Sequence, residues 1–243
     1  MSIVLVSSTL LNAASTRAIP MLQTLFPNID DWGEIGHACI DTLLMLGGSL
    51  LLTVLLGLPL GVLLYLTGKG QLRPMPKLYA ITSLLVNVLR SVPFIILMIV
   101  LMPVTYFLVG TKLGIRGAIP PLVIGAAPFF ARLVETALRE VERGVIEASQ
   151  AMGASLWQIV RHVLLPEARG GLLAGVTVTA IALVGYTAMG GAIGSGGLGD
   201  LAYRYGYLSY KSDYMLVTVA LLIVLVQLLQ MLGDRVVAHY GRR

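Results

Sequence analysis

Apolar residues come in long runs along this chain. Five stretches hold roughly 20 or more predominantly apolar residues, the length a helix needs to cross about 30 Å of hydrocarbon: 42–66, 81–108, 118–138, 172–193 and 215–232. The second carries Arg90 and Pro93; the third carries Pro120, Pro121 and Pro128. The pattern predicts an all-α integral membrane protein with five transmembrane helices in a domain spanning 37–234. A carboxyl tail, 235–243, follows. Residues 1–36 read as a tail outside that domain. Their apolar run at 3–11 is short and is diluted by Ser7, Ser8, Asn12, Ser15 and Arg17. An interfacial piece or a sixth span is the alternative there.

Composition agrees with a bilayer as the solvent. Charged residues are 12% of the chain, against about 25% in a soluble domain, and mean hydropathy is +0.87. A single cysteine, Cys39, excludes an internal disulfide framework and any cysteine-based zinc cluster. His37, His162 and His239 are too far apart to suggest a metal site. Net charge is +5, which in a membrane protein sets topology more often than it binds nucleic acid. With the amino end outside, the inner segments hold Lys69, Arg73, Lys77, Arg139, Arg143, Arg161, Arg169, Arg235, Arg242 and Arg243. The outer segments hold only Arg17, Lys112, Arg116, Arg204 and Lys211. The positive-inside rule therefore predicts amino end out and carboxyl end in.

The inner loop from about 139 to 171 is the most polar stretch, yet Ile146, Met152, Leu156, Ile159 and Val163 recur at helical spacing. That predicts short amphipathic helices, lying on lipid or docking into a partner's groove. Ala148 and Ser149 are small enough for close approach. Gly153 permits a turn between two helices, and Pro166 should end the second near Leu165. Glu147 offers a charge to a partner arginine. A helix–loop–helix packed only on its own chain is the plainer alternative. Glu135 and Arg139 stand at i, i+4, read as a solvated helix end.

Two motif matches need weighing. Residues 194–199 match G-x-G-x-x-G, but they follow an apolar span rather than a strand, so a dinucleotide site is rejected. No G-x-x-x-x-G-K-[ST] sequence occurs. The chain thus has no recognisable ATP site, and no nucleophile–base constellation points to an enzyme.

The run Glu147-Ala148-Ser149, then Gly153, Val163 and Leu165-Pro166, resembles the E-A-A-x3-G-x9-I-x-L-P signature of permease subunits of bacterial ABC importers. Ser149 and Val163 are its two departures, both small and shape-conserving. The runs 90–97, 125–129, 184–192, 196–199 and 203–207 are similar to permeases of D-/L-methionine ABC importers, over about 41–235. The resemblance implies the type I importer permease fold with a cytoplasmic coupling helix, in the bacterial inner membrane. It implies a homodimer, two cytoplasmic ATP-binding subunits carrying ATP and magnesium, and an extracytoplasmic methionine-binding protein. No cofactor or metal is expected on this chain. Glu147, Ala148, Ser149, Gly153, Val163, Leu165 and Pro166 would couple it to the ATPase. A permease for another amino acid or small solute is the nearest rival. A self-sufficient secondary transporter is a further one, but it needs coupling charges at the midplane and no such loop.

Polar groups in spans mark candidate path residues. Arg90, with Asn87 and Ser91, reads as a cluster near an inner span end, structural or in the path. Arg132 with Glu135 reads as internal pairing. In the fourth span Tyr186, Thr187 and Met189 are candidates for the path, Met189 for a hydrophobic gate. Gly185, Gly190, Gly191 and Gly194 suit close helix packing, Gly190 and Gly194 at GxxxG spacing. Tyr203, Tyr205 and Tyr207 read as an interfacial aromatic belt or a docking surface.

Overall fold

The structure is a computed structural model that describes residues 25–240. The apolar run at 3–11, most of the predicted tail, and Arg17, Arg242 and Arg243 lie outside these residues. Among the described residues all regular structure is helical.

Helix α1 spans Trp32–Thr67. Asp31 caps it, its carboxylate accepting from the Gly33 N–H at 2.7 Å. The helix therefore starts well before residue 42, through a polar first turn that hydropathy alone passes over. Residues 26–36, read from the sequence as tail, pack here: Ile29 and Ile35 are buried with Leu198, Leu201 and Tyr214.

The second predicted span is broken. Helix α2, Pro76–Ser91, and helix α3, Phe94–Val100, meet at a bend of 105°. Pro93 removes a backbone donor, and Val92 before it is extended (φ −79°, ψ 128°). Helix α4, Met102–Val109, follows and ends at Gly110 in the left-handed region (φ 74°). Helix α5, Gly114–Arg139, by contrast runs unbroken through Pro120, Pro121 and Pro128. Membrane helices tolerate proline where neighbours re-satisfy the freed carbonyls.

Helices α1 and α5 form the largest helix–helix interface. Ser49, Thr53, Gly57 and Gly61 repeat every four residues along α1, and all are buried. A Cβ on Gly57 would meet Phe130 Cδ1 at 2.9 Å; one on Gly61 would meet Val134 Cβ at 2.5 Å and the Ala131 carbonyl oxygen at 2.6 Å. In lipid the tails are as apolar as leucine, so such close backbone approach supplies the association energy.

Helix α6, Arg143–Ala151, and helix α7, Leu156–Ile159, fill the polar loop. A π-helical turn, Val160–Leu164, leads on to helix α8, Arg169–Gly191. Pro166 sits at the start of the next short turn rather than ending the helical path, because the wider turn before it absorbs the missing donor. Helix α9, Gly197–Leu201, runs into a second π-helical turn, Ala202–Leu208. Helix α10, Ser212–Tyr240, continues through most of the predicted carboxyl tail. Leucines such as Leu51, Leu55 and Leu56 on α1 and Leu216 on α10 are exposed, a surface that water would penalise and hydrocarbon does not.

The α1–α5 contact yields a prediction. Gly61→Ala should destabilise the detergent-solubilised protein by about 1–3 kcal/mol through overpacking. Gly47→Ala, with nothing within 4 Å of the added carbon, should be neutral or mildly stabilising. Thermal unfolding of both variants checks the difference.

Candidate functional site

Three arrangements follow from these helices: an exposed hairpin, a buried charge clamp and an intramembrane cleft. The hairpin is α6 and α7 joined by Gly153, whose φ of 82° supplies the expected turn. Ser155 caps α7 in a capping box with Gln158, a Ser-x-x-Gln signal that the reading of the sequence passed over. Ile146, Ile159, Val160 and Leu164 pack inward on Phe130, Val134 and Leu138 of α5. The hairpin is thereby seated on the end of α5.

The signature residues divide by face. Glu147, Ala148, Gly153 and Pro166 are exposed. Ser149 is buried, its hydroxyl donating to the Val145 carbonyl at 2.8 Å, so its small size serves packing on this chain rather than approach of a partner. Val163 and Leu165 pack partly against the same core. Met152, placed by periodicity on the apolar face, is 81% exposed because α6 ends before it. With Trp157 it leaves an apolar tip pointing away from the bundle.

The clamp lies between α2 and α5. Glu135 is buried and pairs with Arg132 at 2.6 Å and Arg139 at 2.7 Å. It is not the solvated helix end that the i, i+4 spacing suggested. The Tyr79 hydroxyl donates to the same carboxylate at 3.2 Å. Arg132 also donates to the Ser83 hydroxyl and to Asn87 Oδ1, the latter at 3.0 Å. Asn87 therefore belongs to Arg132, not to a cluster with Arg90. Ser91 donates to the Asn87 carbonyl at 2.7 Å, closing the last turn of α2 just before the bend.

The cleft opens beside that bend. It holds about 260 Å³ and is lined by the end of α2, α3, the middle of α5 and α8. Arg90 lies along one wall, its guanidinium carbon 5.7 Å from the centre of the Phe129 ring. The Phe94 and Tyr186 rings stack across it, with centroids 4.3 Å apart and planes within 8°. Phe129 lies near the middle of α5, so Arg90, itself exposed on this chain, stands level with the middle of that helix. At 1.5 Å per residue it is about 21 Å along α2 from Pro76.

The other path and packing candidates lie elsewhere. Thr187 is buried and bonded to the Val184 carbonyl at 2.8 Å. Met189 is 48% exposed on the outside of this chain, and Gly185 is exposed with nothing within 4 Å. Gly191 meets the Gly199–Asp200 backbone, where a Cβ would come within 2.2 Å. Gly190 faces Ser195 and Met98. Gly194 stands beyond the helix in a turn with φ 88°, so Gly190 and Gly194 are not a pair on one helix face. Of the tyrosines, Tyr205 stacks inward on Tyr214 at 4.6 Å, while Tyr203 and Tyr207 stack on each other at the surface.

Residues 57–243 match the family of binding-protein-dependent transport system inner membrane components. The chain belongs to this family. It is a transporter permease subunit of the inner membrane, consistent with several helices long and apolar enough to span a bilayer. It is 49% identical to the methionine import system permease protein MetP of Bacillus subtilis over 223 residues, 92% of this chain and 100% of that one. It is 52% identical to the probable D-methionine transport system permease protein MetI of Vibrio cholerae, over 77% of this chain and 84% of that one. A chain of the MetNI methionine ABC transporter, solved in inward-facing conformations, superposes with a TM-score of 0.85 at 50% identity. The match covers 86% of this chain and 97% of that one. A solved amino acid ABC transporter shares the fold at 16% identity and a TM-score of 0.69.

The clamp makes this permease sensitive to one carboxylate. Glu135→Ala leaves the partly buried Arg132 without its counter-ion, against a loss of about 3–5 kcal/mol for a fully buried pair. The half-exposed Arg139 side chain should moderate that toward the lower end. A fall in melting temperature, larger than that of Tyr79→Phe, is the expected outcome.

Proposed function

We propose that this chain is the membrane permease of an ATP-driven methionine importer. Two copies would form the translocation path, with two ATP-binding subunits on the cytoplasmic side and a methionine-binding protein delivering substrate outside. The observation that carries this reading is identity of about half to two methionine permeases, over 92% of this chain for one and 77% for the other. The asymmetry of Lys and Arg supports an amino end outside and a carboxyl end inside.

In this reading the hairpin docks into the ATPase. Glu147, Ala148 and Gly153 would face the partner, with the apolar tip of Met152 and Trp157 entering its groove. Ser149, Val163 and Leu165 would hold the hairpin to α5, and Pro166 would mark its return to the membrane. Because the hairpin rests on the end of α5, closure of the ATPase pair on nucleotide would displace that helix and the cleft it lines. Such a displacement biases a two-state element toward one side of the membrane. Arg90 and Tyr186 would border the path within this chain. Met189 and Gly185, exposed on α8, would face the second copy, where a flexible thioether suits a gate. Asn87 and Thr187 would act through packing rather than contact with substrate.

The chain, tagged and purified in mild detergent from its own host, should bring down a P-loop ATPase. Glu147→Arg should reduce retention of that ATPase by about 10-fold or more, the scale of losing a charge-assisted contact, with the permease still folded. Ser149→Leu should instead lower the stability of the permease itself. Full retention of the ATPase by Glu147→Arg would contradict the docking role, and absence of any ATPase would contradict the importer reading.

A further inference from the structure

We infer that the cleft beside the α2–α3 bend is a transit subsite that takes the carboxylate of an amino acid on Arg90 and its apolar side chain on the aromatic wall. This rests on the importer reading above and adds the chemistry of a site to it. Two arginines near the bend differ in how their charge is answered. Arg132 is spent: it bonds Glu135, Ser83 and Asn87. Arg90, exposed at the cleft, has no ion pair among the described residues. Its guanidinium carbon lies 5.7 Å over the Phe129 ring, within cation–π range.

An ionised side chain in the hydrocarbon region is costly and is kept where it lines a cavity or meets a counter-charge. Arg90 lines a cavity of about 260 Å³, just under the roughly 300–1,000 Å³ of drug-sized ligand sites, which restricts it to a small ligand such as a single amino acid. A guanidinium offers a planar fork of donors that matches a carboxylate in two hydrogen bonds. The cation–π contact with Phe129 restrains the guanidinium before the ligand arrives. The opposite wall is apolar and aromatic: Leu97, Phe94 and Tyr186. Thioether sulfur packs favourably against aromatic rings, so an amino acid with an apolar sulfur-bearing side chain satisfies both walls. Gly125 keeps the space open, since a side chain there would press on Phe94 at 3.2 Å.

One cation and no matching set of buried hydrogen bonds makes a weak site. Weakness is what a path requires, because binding must favour entry and still permit release.

The test uses the assembled transporter in liposomes with its binding protein. Arg90→Gln should lower methionine imported per ATP hydrolysed by about 10-fold or more, the loss expected for a charge-assisted pair, with assembly retained. Arg90→Lys should fall between. In a Cys39→Ser background, Val92→Cys should be labelled by a small maleimide more slowly when methionine is present. Methioninamide, which lacks the carboxylate, should give no protection, and adding Arg90→Gln should abolish the protection by methionine. Equal protection by both compounds, or undiminished import by Arg90→Gln, would overturn the subsite while leaving the importer intact. Loss of assembly in both Arg90→Gln and Arg90→Lys would make Arg90 a contact between copies and overturn it too. A wild-type assembly that hydrolyses ATP but imports no methionine would overturn the underlying reading, and this site with it.

Discussion

The contact between α1 and α5 is the constraint on which the rest of the bundle depends. Four small residues, Ser49, Thr53, Gly57 and Gly61, let the two backbones approach until the Ala131 carbonyl nearly touches the Gly61 backbone. In a bilayer the apolar faces of the two helices gain nothing from leaving lipid, so dispersion at this short distance must hold them. Helix α5 then distributes what α1 fixes. Its middle supplies Phe129 and Gly125 to the cleft, its inward face carries the clamp, and its end receives the hairpin through Phe130, Val134 and Leu138. A displacement of the hairpin therefore reaches the cleft through one stiff element.

Charge in this chain is sorted by whether it is answered. Glu135 is buried between two arginines and a tyrosine hydroxyl, and the group ties α2 to α5. The Arg132–Asn87 bond and the Ser91 hydroxyl brace the last turn of α2, so the 105° bend at Val92 and Pro93 falls beside the cleft. Arg90, one turn from Asn87, is left free to face that space. Structure-building and ligand-seeking cations thus lie close together on the same two helices.

Much of this was legible in the sequence. Apolar runs long enough to span, a proline-bearing second run, and a glycine between two short amphipathic helices are all strong local signals. The seating of Ile146 and Ile159 follows from their helical spacing. What failed to read through did so for identifiable reasons. The Gly57–Gly61 spacing on α1 is less conspicuous in the sequence than the glycines of 185–199, and Gly194 lies in a turn. The break at Pro93 hid inside an uninterrupted hydropathy signal, because hydropathy is blind to direction. The place of Arg90 beside the cleft depended on that break, which turns α3 back toward α8. Met152 kept the helical period but lay past the helix end. Ser149 was small, which does not say which face it is on.

An importer permease of this family needs a separate ATPase to move its substrate. Liposomes carrying the permease with its partner ATPase and binding protein should accumulate methionine when ATP is supplied, and should stop when any one component is omitted. Accumulation by the permease alone, driven by an ion gradient, would contradict the account.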